Sequence, residues 1–278
     1  MLPWISVADL QARLDGPDLR LVDVRSILGQ PEAGRVAYAA GHLPGAVFLD
    51  LEEDLSGPIG PHGGRHPLPD ADALARTLGR AGIDGASHVV AYDVGDAMVA
   101  GRVWWLLRWL GHDAVQVLDG GIAAWTVAGG ATTDAVPTPV PARFVPRPRP
   151  ELVVDRDQVR AAAGDPDVLV IDVRAAERYR GEVEPLDPVA GHVPGAVNVP
   201  YAGNLEDGRF RDPAALRERY AAAVGAREVI AYCGSGVSAA HGLMALAAIG
   251  LPEAKLYAGS WSDWVSYPDA PVALGAEP

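Results

Sequence analysis

The chain has 278 residues, of which 49% are hydrophobic and 21% charged, a composition typical of a globular protein long enough for two domains. Its formal net charge of −13, with no basic run to reverse it locally, argues against nucleic acid and anionic membranes as partners. A single cysteine excludes an internal disulfide and a cysteine-rich metal site, and we expect neither a metal nor an organic cofactor.

Short β-branched runs alternate along the chain with segments of helical spacing. The predicted strands lie at residues 19–24, 88–92, 114–118, 168–173, 228–232 and 254–257. The predicted helices lie at residues 70–82, 99–110, 213–224 and 238–249. This alternation predicts an α/β fold in which each domain is a largely parallel sheet flanked by helices.

The second half of the sequence repeats the plan of the first. Four segments recur in the same order: 21–25 as 170–174, 41–47 as 191–197, 89–93 as 229–233, and 120–125 as 259–264. Between the copies lies a run with six prolines, which favours an extended linker. We therefore predict two domains, residues 1–130 and 151–278, joined by a proline-rich linker at 131–150.

The only cysteine, Cys233, follows a predicted strand and precedes a turn into a helix. Gly234 and Gly236 allow backbone angles that other residues avoid, so the N–H groups as far as Val237 and Ser238 can converge on one point. Because the start of a helix adds partial positive charge, this cysteine loop, residues 233–238, favours a reactive thiolate and a bound anion. The alternative is an inert cysteine buried at the end of a strand.

The segment 233–239 resembles the active-site loop of the 3-mercaptopyruvate sulfurtransferases, members of the rhodanese superfamily. The resemblance covers nearly the whole chain, including both Asp-Val-Arg strands, both Gly-His-x-Pro-Gly-Ala segments and the segments 102–105, 119–121 and 259–261. It implies tandem rhodanese-like domains, the first catalytically silent because Asp93 stands where Cys233 stands in the second. It also implies that sulfur passes from a small anionic donor, 3-mercaptopyruvate, through a Cys233 persulfide to cyanide or a thiol acceptor such as thioredoxin.

The same resemblance assigns roles to residues outside the loop. Arg178 matches an arginine that binds the anionic end of the donor, although a solvated surface arginine would look the same in the sequence. Ser235 directs its hydroxyl toward the substrate, or alternatively caps the following helix. A relay of Ser235, His66 and Glu52 would protonate the pyruvate enolate or activate the thiol. Trp261 either forms a wall of the pocket or belongs to the core.

Residues present in both copies are expected to serve the fold, because only one copy carries the cysteine. By this test we interpret His42 and His192 as turn-fixing residues rather than catalytic bases. The other shared residues expected to be structural in the second copy are Asp172, Arg174 and Trp264. His241, which has no counterpart, is interpreted as a packing or surface residue.

One departure from the family pattern leaves the donor open. Where the mercaptopyruvate enzymes have a second arginine, this chain has Leu186, so thiosulfate is an alternative donor. Against thiosulfate, the cysteine loop lacks basic residues. A persulfide carrier that delivers sulfur to a protein partner also stays open, as does an inactive anion-binding module. A cysteine phosphatase is disfavoured because Ala239 occupies the position of its phosphate-binding arginine.

The sequence also predicts where the protein resides. It begins without a basic, apolar leader, and no apolar run approaches the roughly 20 residues that a spanning helix needs. We therefore expect a cytoplasmic protein with no membrane partner.

Overall fold

The computed structural model describes residues 1–278, which form two compact units. The first consists of Met1–Gly57, Pro69–Arg149 and Asp207–Arg209, and the second of Pro58–Leu68, Pro150–Glu206 and Phe210–Pro278. The proline-rich residues 131–149 pack with the first unit: Ala142 N–H donates to Gly79 O at 2.9 Å and Arg147 N–H to Leu110 O at 2.8 Å. Segment 58–68 packs with the second unit, although the first unit surrounds it in sequence.

The first unit contains one parallel five-stranded sheet, in the order β1-β5-β4-β2-β3. Its strands are β1 (Trp4–Ile5), β2 (Leu19–Asp23), β3 (Val47–Phe48), β4 (His88–Tyr92) and β5 (Val115–Leu118). Its helices are α1 (Val7–Gln11), α2 (Ala33–Ala40), α3 (Ala71–Arg80), α4 (Met98–Trp109) and α5 (Gly121–Val127).

The second unit repeats this sheet as β6-β12-β11-β7-β8, also parallel throughout. Its strands are β6 (Val153–Val154), β7 (Val168–Asp172), β8 (Val197–Asn198), β11 (Glu228–Tyr232) and β12 (Lys255–Tyr257), and a separate hairpin pairs β9 (Leu205–Glu206) with β10 (Arg209–Phe210). Its helices are α6 (Arg156–Ala162), α7 (Ala176–Tyr179), α8 (Pro213–Arg219), α9 (Ala221–Val224), α10 (Ser238–Ala248) and α11 (Ser260–Trp264). None of the helices in residues 1–278 is long and apolar enough to cross a bilayer.

The predicted strands and long helices are present, and the differences have local causes. The helix expected over 213–224 divides at Tyr220 into α8 and α9. Six two-residue strands, β1, β3, β6, β8, β9 and β10, were not predicted, because such strands are defined by their partners rather than by their own sequence. The equal strand order of the two sheets agrees with the internal repeat.

Strand β11 is the central strand that positions the cysteine loop. Its residues Val229 to Tyr232 are all buried, as expected for a strand covered by helices on both faces. The register with β7 pairs Tyr232 with Asp172, so both strands end at the same edge of the sheet. This edge is where open parallel sheets place their binding sites.

A buried ion pair fixes the turn that follows β7. Arg174 Nη2 lies 2.6 Å from Asp172 Oδ2 and donates to Gly191 O at 2.6 Å, and both charged side chains are fully buried. Arg25 makes the equivalent contacts with Asp23 and Gly41 O in the first unit. Desolvation of the two charges is compensated only while both partners are present.

We expect Arg174→Leu to lower the free energy of unfolding by about 3–5 kcal/mol, because it leaves the buried Asp172 carboxylate without its cation. Urea denaturation measures the change. The matched control is Arg180→Leu, which removes a pair with Glu182 in which both side chains are partly exposed, and it should leave stability unchanged. Equal loss in both variants would contradict a special role for the buried pair.

Candidate active site

The cysteine loop turns the chain from β11 into α10 and directs a backbone N–H at the thiol. Gly236 N–H donates to Cys233 Sγ across 3.1 Å. Gly236 has φ +78°, and a Cβ at this position would lie 2.2 Å from Ala258 O. The close approach leaves no room for a Cβ, and the left-handed backbone favours glycine at the same position. Val237 is buried, and α10 begins at Ser238.

Cys233 is only 1% exposed, but its surroundings are polar. Ser260 Oγ lies 4.0 Å from Cys233 Sγ, accepts a hydrogen bond from Cys233 N at 3.1 Å and donates to Tyr257 O at 2.9 Å. Trp261 N–H and Ser262 N–H donate to the carbonyls of Cys233 and Gly234 at 3.0 and 2.9 Å. The buried thiol therefore has one backbone N–H and one hydroxyl as polar neighbours.

Ser260 is a site residue that the sequence analysis missed. It has φ +56°, a left-handed conformation that costs a residue other than glycine about 1 kcal/mol or more. The corresponding residue of the first unit, Gly121, has φ +54° without such strain. The repeat therefore contained the signal, since a serine replaces glycine at a left-handed position only in the copy with the cysteine.

His66 and Ser235, which are 169 residues apart in sequence, meet in the second unit. His66 Nδ1 and Ser235 Oγ are hydrogen-bonded at 2.7 Å, and both residues are largely buried. Two bonds to α11 attach segment 58–68: Gly63 N–H donates to Asp263 Oδ1 at 2.7 Å, and Arg65 N–H donates to Ser262 Oγ at 3.1 Å. The hydroxyl and imidazole are thus positioned for proton transfer beside the loop.

Glu52, the third member of the predicted relay, lies in the first unit. It follows β3 in an exposed turn, where its backbone N–H donates to Asp50 Oδ1 at 2.8 Å. Its role in orienting His66 stays a prediction.

The Arg178 guanidinium lies beside the cysteine loop. Arg178 Nη1 and Nη2 are 3.4 and 3.5 Å from the position that a Cβ on Gly234 would occupy. The guanidinium donates two hydrogen bonds to the Glu184 carboxylate, from Nη2 to Oε1 at 2.7 Å and from Nε to Oε2 at 3.2 Å. Burial raises the pKa of Glu184, but hydrogen bonds from Arg178 and from the backbone N–H of Leu186 outweigh it, so that the pKa lies below its usual value. Glu184 therefore stays ionised and orients the arginine.

Trp261 is fully buried in the core of the second unit. Its indole N–H donates to Val189 O at 2.8 Å, and the Arg174 guanidinium lies 4.8 Å from the ring centroid. Its contact with the cysteine loop is made by its backbone N–H. This placement favours the core alternative over a pocket wall.

The loop after β4 is equivalent in the first unit to the cysteine loop, and it contains an anionic side chain, that of Asp93. The Asp93 carboxylate accepts four backbone N–H bonds of 3.0 to 3.2 Å, from Gly95, Ala97, Val99 and Ala100. Burial, with a further contribution from the Asp96 charge, raises the pKa of Asp93 to about 6. The strand–turn–helix geometry of this fold therefore directs several amides at one anionic group.

Comparison with known proteins identifies the fold family. A model of the rhodanese-like domain matches the chain twice, over residues 6–128 and 155–267. The chain belongs to the rhodanese family. The predicted tandem of rhodanese-like α/β domains is thereby confirmed.

Full-length relatives of this rhodanese protein are sulfurtransferases by name. A Pseudomonas aeruginosa protein named as a 3-mercaptopyruvate sulfurtransferase is 47% identical over 277 residues, 98% of each chain. A Mycobacterium tuberculosis protein named as a thiosulfate sulfurtransferase, SseB, is 42% identical over 277 residues, 98% of this chain and 96% of that one. The crystal structure of SseA, a 3-mercaptopyruvate sulfotransferase from Escherichia coli, matches with a TM-score of 0.83 and 33% identity, covering 94% of this chain and all of that one. These relatives confirm the predicted enzyme class, sulfurtransferase.

Residues shared by the two rhodanese domains make structural contacts, as the repeat predicted. His42 Nδ1 and His192 Nδ1 are bonded to the carbonyls of Tyr38 and Tyr179, at 2.8 and 2.7 Å, and both rings are fully buried. The Trp264 indole donates to Pro271 O at 2.8 Å. His241, without a counterpart, is also buried and stacks on Phe210 at a centroid distance of 4.7 Å. No group of three or more His, Cys, Asp or Glu side chains in residues 1–278 is arranged to bind a metal ion.

We expect Gly236→Ala to lower sulfur transfer by about 100-fold, because the added methyl displaces the N–H that contacts the thiol. Its stability should also fall, by at least about 1 kcal/mol, because alanine must adopt a left-handed backbone. Steady-state rates and urea unfolding measure the two effects. Gly164→Ala is the control, since its Cβ would meet no atom within 4 Å and its φ is ordinary. A fully active Gly236→Ala protein would contradict the assigned geometry.

Proposed function

We propose that this rhodanese protein transfers the sulfur atom of 3-mercaptopyruvate to a thiol acceptor or cyanide through a persulfide on Cys233. The observation that carries the proposal is the loop geometry, in which the Gly236 N–H points at Cys233 Sγ. The guanidinium of Arg178 and the His66–Ser235 pair lie beside the same loop. The names of the Pseudomonas and Escherichia relatives support the choice of donor.

In the first half-reaction the Cys233 thiolate attacks the thiol sulfur of 3-mercaptopyruvate. A sulfur–sulfur bond forms and the carbon–sulfur bond breaks, so the bonding electron pair leaves on carbon as the pyruvate enolate. The enolate takes a proton from the Ser235 hydroxyl, which is replaced from His66, and pyruvate is released. The persulfide proton returns through Ser235 to His66, which restores the proton that the enolate consumed, and loop N–H groups stabilise the terminal sulfur anion.

In the second half-reaction an acceptor thiolate attacks the outer sulfur and restores the Cys233 thiolate. We propose a reduced thiol protein such as thioredoxin as the acceptor, and cyanide would give thiocyanate by the same displacement. A single cysteine that must stay reduced also fits the cytoplasmic location that we propose.

Thiosulfate is the second candidate donor. The absence of an arginine at Leu186 and the name of the mycobacterial relative favour it. Its leaving group is sulfite, which departs with its electron pair and requires no protonation by Ser235. Only 3-mercaptopyruvate therefore requires a proton donor at this site.

Treatment with 3-mercaptopyruvate should add about 32 Da to the peptide that contains Cys233, because the proposed intermediate is covalent. Mass spectrometry of the intact and digested protein measures the adduct, with Cys233→Ser as the control that cannot form it. The ratio of kcat/KM for 3-mercaptopyruvate and thiosulfate then assigns the donor. Activity retained in Cys233→Ser would overturn the mechanism, and a higher kcat/KM for thiosulfate would overturn the donor.

Replacement of His66 should separate the two donors. We expect His66→Asn to lower kcat with 3-mercaptopyruvate by about 100-fold or more, because enolate protonation loses its proton source. Turnover of thiosulfate should change much less. His62→Asn is the matched control, since His62 lies in the same segment but stacks on Tyr267. Equal losses with both donors would contradict a protonation role.

A further inference from the structure

Arg65 approaches the cysteine loop from segment 58–68, which packs with the second unit. The flanking Gly64 has φ +78°, and a Cβ there would lie 2.4 Å from Gly259 O, so the backbone is pressed against the turn before α11. Arg65 N–H donates to Ser262 Oγ at 3.1 Å. These contacts hold the Arg65 backbone beside α11, and the side-chain Nη2 lies 3.0 Å from the position of a Cβ on Gly234.

Two guanidinium groups therefore converge on the residue that follows the nucleophile. Arg65 Nη2, Arg178 Nη1 and Arg178 Nη2 all lie within 3.5 Å of one point above Gly234. Because Gly234 has no side chain, both cations can face the same small anion there. Guanidinium groups suit such a site, since their paired N–H groups match the geometry of a carboxylate.

One carboxylate of the protein already lies between these two arginines. Asp187 Oδ1 is paired with Arg65 Nη1, and Asp187 Oδ2 is 3.5 Å from Arg178 Nη2. The Asp187 side chain is 4% exposed, and its Oδ2 has no hydrogen-bond partner. The arrangement thus demonstrates that Arg65 and Arg178 can act on one carboxylate together.

Leu186 cannot provide the second cation that the family pattern places at this point of the chain. Its side chain is exposed, and its backbone N–H donates to Glu184 Oε1 at 3.1 Å. Arg65 comes from a different segment but reaches the same loop as Arg178. The charge that is absent at 186 is therefore present at 65.

We propose that Arg65 binds the carboxylate of the sulfur donor together with Arg178, and so determines selectivity for α-keto acid donors in place of the arginine absent at 186. The proposal rests on the proposed sulfurtransferase function. Arg65 is a substrate-binding residue in this reaction and takes no part in bond making.

The test is the steady-state kinetics of Arg65→Gln with 3-mercaptopyruvate as the donor. The substitution keeps length and a hydrogen-bond donor but removes the charge, so KM should rise about 10- to 100-fold with kcat nearly unchanged. Arg65→Lys, which keeps the charge but loses the paired N–H groups of the guanidinium, should give an intermediate KM. Arg180→Gln, an arginine of the exposed pair with Glu182, is the control and should keep the wild-type KM.

Two further variants separate binding from a merely structural role. In the double variant Arg65→Gln/Asp187→Asn, the carboxylate that Arg65 normally pairs with is removed as well, so no buried charge is left unpaired. The raised KM should persist in this variant. Adding Leu186→Arg to Arg65→Gln should recover part of the lost affinity. An unchanged KM in Arg65→Gln, or a raised KM that the Asp187→Asn exchange abolishes, overturns the proposal.

The experiment also distinguishes this proposal from the function on which it rests. If wild-type protein forms no 32 Da adduct on Cys233 with 3-mercaptopyruvate, the proposed function fails. If wild-type protein forms the adduct but Arg65→Gln keeps the wild-type KM for 3-mercaptopyruvate, only the role of Arg65 fails.

Discussion

Convergence of backbone N–H groups at the carboxyl end of a central strand is the feature on which the site depends. In the second domain the Gly236 N–H reaches Cys233 Sγ at 3.1 Å. In the first domain four N–H groups reach the Asp93 carboxylate. A carboxylate there is mostly ionised at neutral pH and cannot carry a sulfur atom, whereas a thiol can alternate between thiolate, persulfide and thiol. The same backbone therefore serves as a structural anion site in one copy and supports chemistry in the other.

The core ion pair and the donor site form one continuous network. Arg174 binds Asp172 at the end of β7 and also lies 3.2 Å from Glu184 Oε2. Glu184 in turn binds Arg178, which faces the loop at Gly234. In the second domain the shared ion pair is thus extended through Glu184 to Arg178, a cation that lies beside Gly234. Glu184 therefore contacts both an arginine of the core ion pair and the arginine beside the loop.

The cysteine loop could be predicted from the residues of the repeat, but the residues that contact it from distant parts of the sequence could not. The repeat and the glycine spacing were sufficient to single out Cys233, Gly234 and Gly236, because strand, turn and helix are local in sequence. The contact of His66 with Ser235 spans 169 residues, and only the family resemblance suggested it. Arg65 was overlooked because a basic loop residue beside His66 has no periodic or spacing signal. Its relevance depends on how segment 58–68 packs against α11, which is a tertiary property.

Local charge balance explains how an acidic chain can bind an anionic donor. The chain carries a formal net charge of −13, so its overall field repels small anions. Beside the loop, however, three guanidinium groups face three carboxylates. A donor carboxylate can compete only where the resident carboxylate is poorly bonded, and Asp187 Oδ2 is the one without a hydrogen bond. Burial raises the pKa of Asp187, against the opposing effect of the Arg65 and Arg178 charges. Selectivity at this site therefore follows from the geometry of the two arginines around the Asp187 carboxylate, not from the net charge of the protein.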